Sequence, residues 1–179
     1  MSLVFLLGGA RSGKSAMAQR LAAASGVPVT LVATAEARDA DMAERIRRHQ
    51  QDRPAGWRTI EAPLDVAGAV RSVPHGRFVI VDCLTLWVSN LMEAGRGAAD
   101  IDGAATSLLA ELVTRRAVVV SNEVGLGIVP DNQLSRTFRD ALGAANTIFA
   151  ARAERTVLMV AGRGLDLTGV DALLGLPPD

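Results

Sequence analysis

The apolar run Leu3-Val4-Phe5-Leu6-Leu7 breaks into Gly8-Gly9-Ala10-Arg11-Ser12-Gly13-Lys14-Ser15 and resumes as a helix-forming stretch, Ala16 to Ala24. Strand, glycine loop and helix in immediate succession restrict this chain more than any other feature. The spacing Gly8-x-x-x-x-Gly13-Lys14-Ser15 is that of a P-loop. Its glycines let backbone N–H groups converge on phosphate oxygens at a helix N-terminus, whose partial positive charge already favours an anion. Lys14 is placed to reach the β- and γ-phosphates. The Ser15 hydroxyl suits Mg²⁺, which takes few protein ligands and keeps several waters. A glycine turn without nucleotide is the alternative, but the motif requires a strand before it and a helix after it, and both are present. The chain is therefore expected to bind a nucleoside triphosphate through Gly8, Gly9, Ala10, Arg11, Ser12, Gly13, Lys14 and Ser15, with Lys14 catalytic.

Composition narrows what surrounds this loop. The 179 residues are enough for one domain with a substantial core and too few for two. Hydrophobic residues at 49% and charged residues at 21% describe an ordinary globular protein. Lys+Arg and Asp+Glu are each 19, and a net charge of zero predicts no broad attraction to nucleic acid or to anionic membrane. Small-molecule partners are expected. The single cysteine, Cys83, excludes an internal disulfide and a multi-cysteine metal site, fits a reducing compartment, and reads as a small core residue. Leu3 to Leu7 has no basic region before it and runs straight into the glycine loop, so it reads as a buried strand and not a signal peptide. No apolar run approaches the ~20 residues that span a bilayer. The expected location is the cytoplasm.

Along the chain, Val29 to Thr34 reads as a second strand after the stop signal Ser25-Gly26 and Pro28. Asp39 to about Gln51 reads as a helix with Met42, Ile46 and His49 on one face, terminated by Arg53-Pro54-Ala55-Gly56. A short strand, Trp57 to Glu61, and a weak helix, Asp65 to Ser72, follow. Phe78 to Asp82 is a buried strand that ends in a carboxylate. Leu84 to Glu93 and Gly103 to Arg115 read as helices about the loop Gly95-Arg96-Gly97. Ala117 to Ser121 is the next strand, and Asn122 to Pro130 is too glycine-rich to continue it. A long helix from about Asp131 to Ala153 and a last strand, Thr156 to Ala161, precede Gly162-Arg163-Gly164 and a tail. Strands alternating with helices imply crossovers that cover both faces of a mainly parallel sheet. The expected fold is a three-layer α/β P-loop NTPase domain of the RecA-like kind.

Three residues outside the loop are candidates for chemistry. Asp82 stands at the end of an apolar strand, where a P-loop enzyme holds its Mg²⁺ carboxylate; the alternative is a helix N-cap, since Leu84 to Leu86 follow. Glu123 ends another strand and either faces a ligand or shapes the glycine turn beside it. His49 is either a satisfied, partly buried residue on an apolar stripe or a nucleophile. Arg45, Arg47, Arg48 and Arg53 around it are suited to phosphate or to solvent.

Taken in order, Gly8 to Ser15, Arg45-Ile46 with His49, Arg53-Pro54, Trp57 to Glu61, Asp82-Cys83-Leu84-Thr85, Asn122 to Pro130 and Phe138-Arg139-Asp140 resemble the bifunctional adenosylcobinamide kinase/adenosylcobinamide-phosphate guanylyltransferases of cobalamin biosynthesis. The resemblance runs through nearly the whole chain. It implies phosphorylation of adenosylcobinamide by ATP or GTP, then transfer of GMP from GTP to adenosylcobinamide phosphate, with His49 as the guanylylated residue. It also implies guanine-nucleotide contacts at Ala33, Thr34, Ala35, Gln50, Gln51, Asp52, Arg53, Glu61 and Asp82, and a homotrimer, beside the Mg²⁺ site already expected at Ser15 and Asp82. The rivals are a plain small-molecule kinase in which His49 is structural, and a nucleotide-gated or DNA-binding module, which the zero net charge disfavours.

Overall fold

The computed structural model describes residues 3–37, 39–51, 54 and 56–174, and the side chains of residues 45, 48, 49 and 51 lie outside that description. The elements in chain order are β1 (Leu3–Gly8), α1 (Lys14–Ala24), β2 (Val29–Ala33), α2 (Ala40–Gln51), β3 (Arg58–Glu61), α3 (Val66–Arg71), β4 (Phe78–Asp82), α4 (Leu84–Glu93), α5 (Ala98–Leu112), β5 (Ala117–Val120), α6 (Gln133–Ala150), β6 (Arg155–Val160), β7 (Arg163–Leu167) and α7 (Val170–Leu174). The strands form one seven-stranded sheet in the order β3-β2-β4-β5-β1-β6-β7. All neighbours pair in parallel except β6 and β7, which are antiparallel.

The central strands are apolar along nearly their whole length, β4 ending in Asp82, because helices cover both faces of the sheet. Alternate residues divide between two clusters. Leu3, Phe5 and Leu7 of β1, with Val79, Val81 and Val119, meet α3, α4, α5 and α6 through residues such as Val70, Trp87, Leu108 and Leu142. The Phe5 and Phe149 rings sit 5.8 Å apart in this layer. Val4, Leu6, Leu31, Ile80, Val118 and Val120 face the other way, onto Ala18 and Ala22 of α1. Two helical layers about a sheet are what the alternation in the sequence implies, and the expected three-layer arrangement is observed.

Helix α5, strand β7 and the short helix α7, the last two within what the sequence suggests is a tail, depart from expectation. Helix α5 begins at Ala98 and not at Gly103, because the Asp100 carboxylate accepts a hydrogen bond from the Gly97 N–H at 3.1 Å and so closes the first turn. Strand β7 falls in what the sequence suggests is a tail. Ala161 and Gly162 both adopt positive φ, 48° and 75°. This pair makes the tight reversal favoured in two-residue hairpins, and β7 folds back on β6. Ala161 lacks the usual Asn or Asp signal for such a turn, so local chemistry gives little warning of it.

Candidate active site

The register of the sheet draws distant residues to one edge. Glu61 pairs with Ala33, Ala33 with Asp82, Asp82 with Val120, and Val120 with Leu6, so these positions form a row across five strands near their C-terminal ends. The loop that follows β1 rises from the same edge. Ligands of open α/β sheets bind there, beyond the carboxyl ends of the strands.

Gly8 and Gly13 let the loop take its shape. Gly13 has φ 96° and stands at the N-cap of α1. The loop is braced from both sides: Gly162 N–H donates to Ser12 O at 2.9 Å, and Glu123 N–H donates to Gly8 O at 3.1 Å. Lys14 is buried, and its Nζ donates to Gly8 O at 2.8 Å, Gly9 O at 2.7 Å and Ser12 Oγ at 3.3 Å. Burial pushes the Lys14 pKa down, while Cys83 and Asp82 nearby pull it back up. A lysine ammonium with all three donors directed at the loop holds its charge where phosphate oxygens are expected.

The groove over this edge has two lobes. One lies along the phosphate loop from Ala10 to Ala16 and is closed by Asp41, Glu44, Val120 and Asn122. The other lies beneath α2 and is walled by Leu31, Ala33, Ala35, Met42, Ile46, Gln50, Glu61 and Leu86. Ser15, Asp82 and Cys83 line both lobes. Met42, Ile46 and Gln50 recur at four-residue intervals, so one face of α2 forms the roof of the second lobe. Gln50 Nε2 approaches Glu61 Oε1 at 3.5 Å.

The residues singled out in the sequence are therefore distributed as follows. Ala10 to Ser15 line the first lobe, while Gly8 and Gly9 supply carbonyls to Lys14. Ala33, Ala35, Gln50, Glu61 and Asp82 line the second lobe. Thr34 is fully buried between them, its Oγ1 donating to Cys83 O at 2.8 Å and accepting from Cys83 N–H at 2.9 Å. It fixes the end of β2 against the start of α4 and does not line the groove. His49 and Gln51 belong to α2, but their side chains, together with Asp52 and Arg53, lie outside the described residues. Arg47 pairs with Glu44 at 2.6 Å on the surface of α2.

Asp82 is not the N-cap of α4; that position is taken by Cys83, and no side chain caps the helix. Cys83 is half-buried: it packs against the edge of the α1-side core cluster and also lines the groove, because the chain leaves the sheet one residue earlier. Its thiol pKa is raised to about 11, first by burial and then by the Asp82 charge. Glu123 turns its Oε1 to the Gly125 N–H and so shapes the glycine turn. Sequence reasoning assigned no role to Asp41, Glu44, Leu86 or Asn122, all of which line the groove. Of these only Asn122 carried a signal, since it lies two positions after Val120 and shares its face.

Comparison with known proteins agrees with this geometry. The family model described as cobinamide kinase / cobinamide phosphate guanyltransferase matches residues 4–167. The bifunctional adenosylcobalamin biosynthesis protein CobP of Pseudomonas aeruginosa is 47% identical over 167 residues, spanning 92% of this chain and 96% of that protein. The bifunctional adenosylcobalamin biosynthesis protein CobU of Salmonella typhimurium is 36% identical over 181 residues, spanning 92% of this chain and 99% of its own. Among solved structures, the RadB recombinase superposes with a TM-score of 0.50 at 14% identity, covering 88% of this chain and 73% of that one. A likeness at that identity speaks for the P-loop α/β fold alone. The site and the full-length match together establish that this chain belongs to the cobinamide kinase / cobinamide phosphate guanyltransferase family.

Proposed function

We propose that this chain, acting as one nucleotide-binding domain over residues 1–179, phosphorylates the hydroxyl of adenosylcobinamide with ATP or GTP and then transfers GMP from GTP to the resulting phosphate. The products of the second step are adenosylcobinamide-GDP and pyrophosphate. The observation that carries this reading is the convergence of Lys14, Ser15 and Asp82 where the two lobes meet, in a member of a family named for both reactions.

Phosphoryl transfer needs little covalent help from protein and much neutralisation of charge. Lys14 and the loop amides of Ala10 to Ser15 supply positive potential to the triphosphate. The Ser15 hydroxyl and the Asp82 carboxylate line the same groove and fit the sparse oxygen set that Mg²⁺ takes from protein, so they would hold it. Mg²⁺ bound there would neutralise charge on the β- and γ-phosphates. The second lobe offers a flat apolar wall, Leu31, Met42, Ile46 and Leu86, with Glu61 at its end, and suits a purine ring with polar edges. Guanine recognition is assigned to this lobe, with Ala33, Ala35, Gln50 and Glu61 in contact and Thr34 behind them. Gln51, Asp52 and Arg53 are assigned to the same nucleotide on the strength of the family resemblance.

His49 is assigned the guanylyl intermediate. Its imidazole, in the neutral form, attacks the α-phosphorus of GTP. The new nitrogen–phosphorus bond forms as pyrophosphate leaves, and adenosylcobinamide phosphate then displaces the histidine. This splits one transfer into two displacements. A trimer is proposed as well on the strength of the family resemblance; Leu126, Ile128, Val129 and Leu134, exposed in the isolated chain, offer apolar surface for association. The cytoplasm is the proposed location; no helix among the described residues is long and apolar enough to cross a membrane.

Incubation with GTP labelled at the α-phosphate is the test. Label should remain on denatured protein, survive base and be released by acid, as a phosphoramidate is. His49→Ala and His49→Asn should lose the label and guanylyl transfer while keeping adenosylcobinamide phosphorylation within about threefold of the parent, because the P-loop is untouched. Labelled His49 variants would place the nucleophile elsewhere.

A further inference from the structure

Strand β5 lies between the strand that carries the phosphate loop and the strand that ends in Asp82, and a side chain at its tip has no part in the chemistry described so far. Val120 pairs with Leu6 on one side and with Asp82 on the other. Successive side chains along a strand point to opposite faces. Val120 packs on the α1 side of the sheet. Ser121 points to the other side, where its Oγ hydrogen-bonds Asn146 Oδ1 of α6 at 2.6 Å. Asn122 returns to the α1 side and lines the phosphate lobe with Lys14 and Ser15.

The backbone at Asn122 is fixed from several directions. Its N–H donates to Thr85 Oγ1 at 2.8 Å, and its carbonyl accepts from Asn146 Nδ2 at 3.1 Å. The flanking Ser121 N–H donates to Leu6 O at 2.9 Å, and the Glu123 N–H donates to Gly8 O at 3.1 Å. The carboxamide of Asn122, in contrast, makes no hydrogen bond among the described residues. A half-buried amide on a clamped backbone, at a residue that lines a phosphate-binding groove, is a hydrogen-bond donor without a protein partner.

We propose that Asn122 is a catalytic residue of the phosphoryl-transfer step, its Nδ2 donating a hydrogen bond to the terminal phosphate of the bound nucleoside triphosphate. This rests on the kinase activity proposed above. The acceptor oxygen bonds to the γ-phosphorus as the bond from that phosphorus to the β–γ bridging oxygen breaks. The nucleoside diphosphate keeps the electron pair, and the hydroxyl proton passes to water. Asn122 neither gives nor takes a proton. It holds the migrating phosphoryl group between Lys14 and Asp82, and it contacts triphosphates but not diphosphates, so it separates substrate from product nucleotide.

The test compares Asn122→Ala and Asn122→Asp with the parent protein, measuring ATP and ADP binding and kinase turnover on adenosylcobinamide. Loss of a donor to the terminal phosphate should lower kcat by about 100-fold. ATP should bind about tenfold more weakly in both variants, while ADP affinity stays within about twofold and so reports an intact loop. Parallel loss of ATP and ADP binding would reduce Asn122 to a structural brace and overturn the proposal, as would an unchanged ATP-to-ADP ratio. If Asn122→Ala does not fold, Asn122→Asp and Asn122→Ser carry the same comparison. If the parent itself fails to phosphorylate adenosylcobinamide, the kinase reading falls separately, and the ATP-to-ADP ratio still decides whether Asn122 meets the terminal phosphate.

Discussion

Gly8 sets how closely the phosphate loop can lie against β6. It has φ +150°, and a Cβ added there would meet Met159 O at 2.2 Å and Ser12 Oγ at 2.9 Å. Neither neighbour can yield cheaply, since one is strand backbone and the other is a hydrogen-bond partner of Lys14. Gly8→Ala is expected to cost about 1–3 kcal/mol and to push the loop off its shape. Thermal melting with and without ATP checks this: the melting temperature should fall and ATP should no longer raise it. Cys83 makes a different prediction. With its pKa raised to about 11 from 9.0, the thiol is protonated at pH 8, and its thiolate fraction is about 100-fold below that of an unperturbed cysteine. Iodoacetamide should therefore react about 100-fold more slowly with folded than with urea-unfolded protein, a ratio that mass spectrometry can follow. The sign for stability follows, since the folded state favours the thiol: this contribution is complete below pH 9 and is lost as pH rises through about 11.

At the scale of elements, α6 joins the glycine-rich loop to the core. Its N-cap is Asn132, whose Oδ1 accepts from Ser135 N–H at 2.8 Å, and Arg136 holds the loop end by donating to Pro130 O at 2.9 Å and to Asp131 O at 2.6 Å. Far along the same helix, Asn146 carries the hydrogen bonds to Ser121 and Asn122. Asn132→Ala removes one cap and should cost about 1 kcal/mol, lowering the melting temperature by about 2–4 °C. Kinase turnover should be unchanged, because Phe149, Ala145 and Leu142 anchor the part of α6 that braces the site. A fall in turnover alongside the melting temperature would show that the loop and the brace move together. Helix α2 contrasts with α6. It presents Met42, Ile46 and Gln50 to the groove and carries charge elsewhere, so the groove depends on its position while little apolar burial holds it there.

For the whole molecule, most of the exposed apolar side chains among the described residues fall in two stretches: Val124, Leu126, Ile128, Val129 and Leu134 after β5, and Val160, Leu165, Leu167, Val170, Leu173 and Leu174 along β6, β7 and α7. A chain that exposes this much apolar surface is expected to self-associate, and light scattering should report an oligomer at working concentration, with the trimer mass proposed from the family resemblance as the specific value to check. A monomer mass would count against it. The sequence by itself determined the phosphate loop, because its shape depends on residues that are chain neighbours and on backbone angles that glycine permits. It also determined the buried strands 78–82 and 117–120, since a continuous apolar run needs no distant information to be recognised. The reading of His49 came from family resemblance and not from pattern, because a lone histidine on an apolar helix face looks alike in either role. Only the tertiary structure decided that β5 separates β1 from β4, that Glu61, Ala33 and Asp82 stand in one row, that Thr34 is buried behind its neighbours, and that Asn122 opens on the groove. It also decided that residues 163–167 pair with β6. These outcomes depend on strand order and register, which are set by packing between residues far apart in the chain, and no local pattern encodes them.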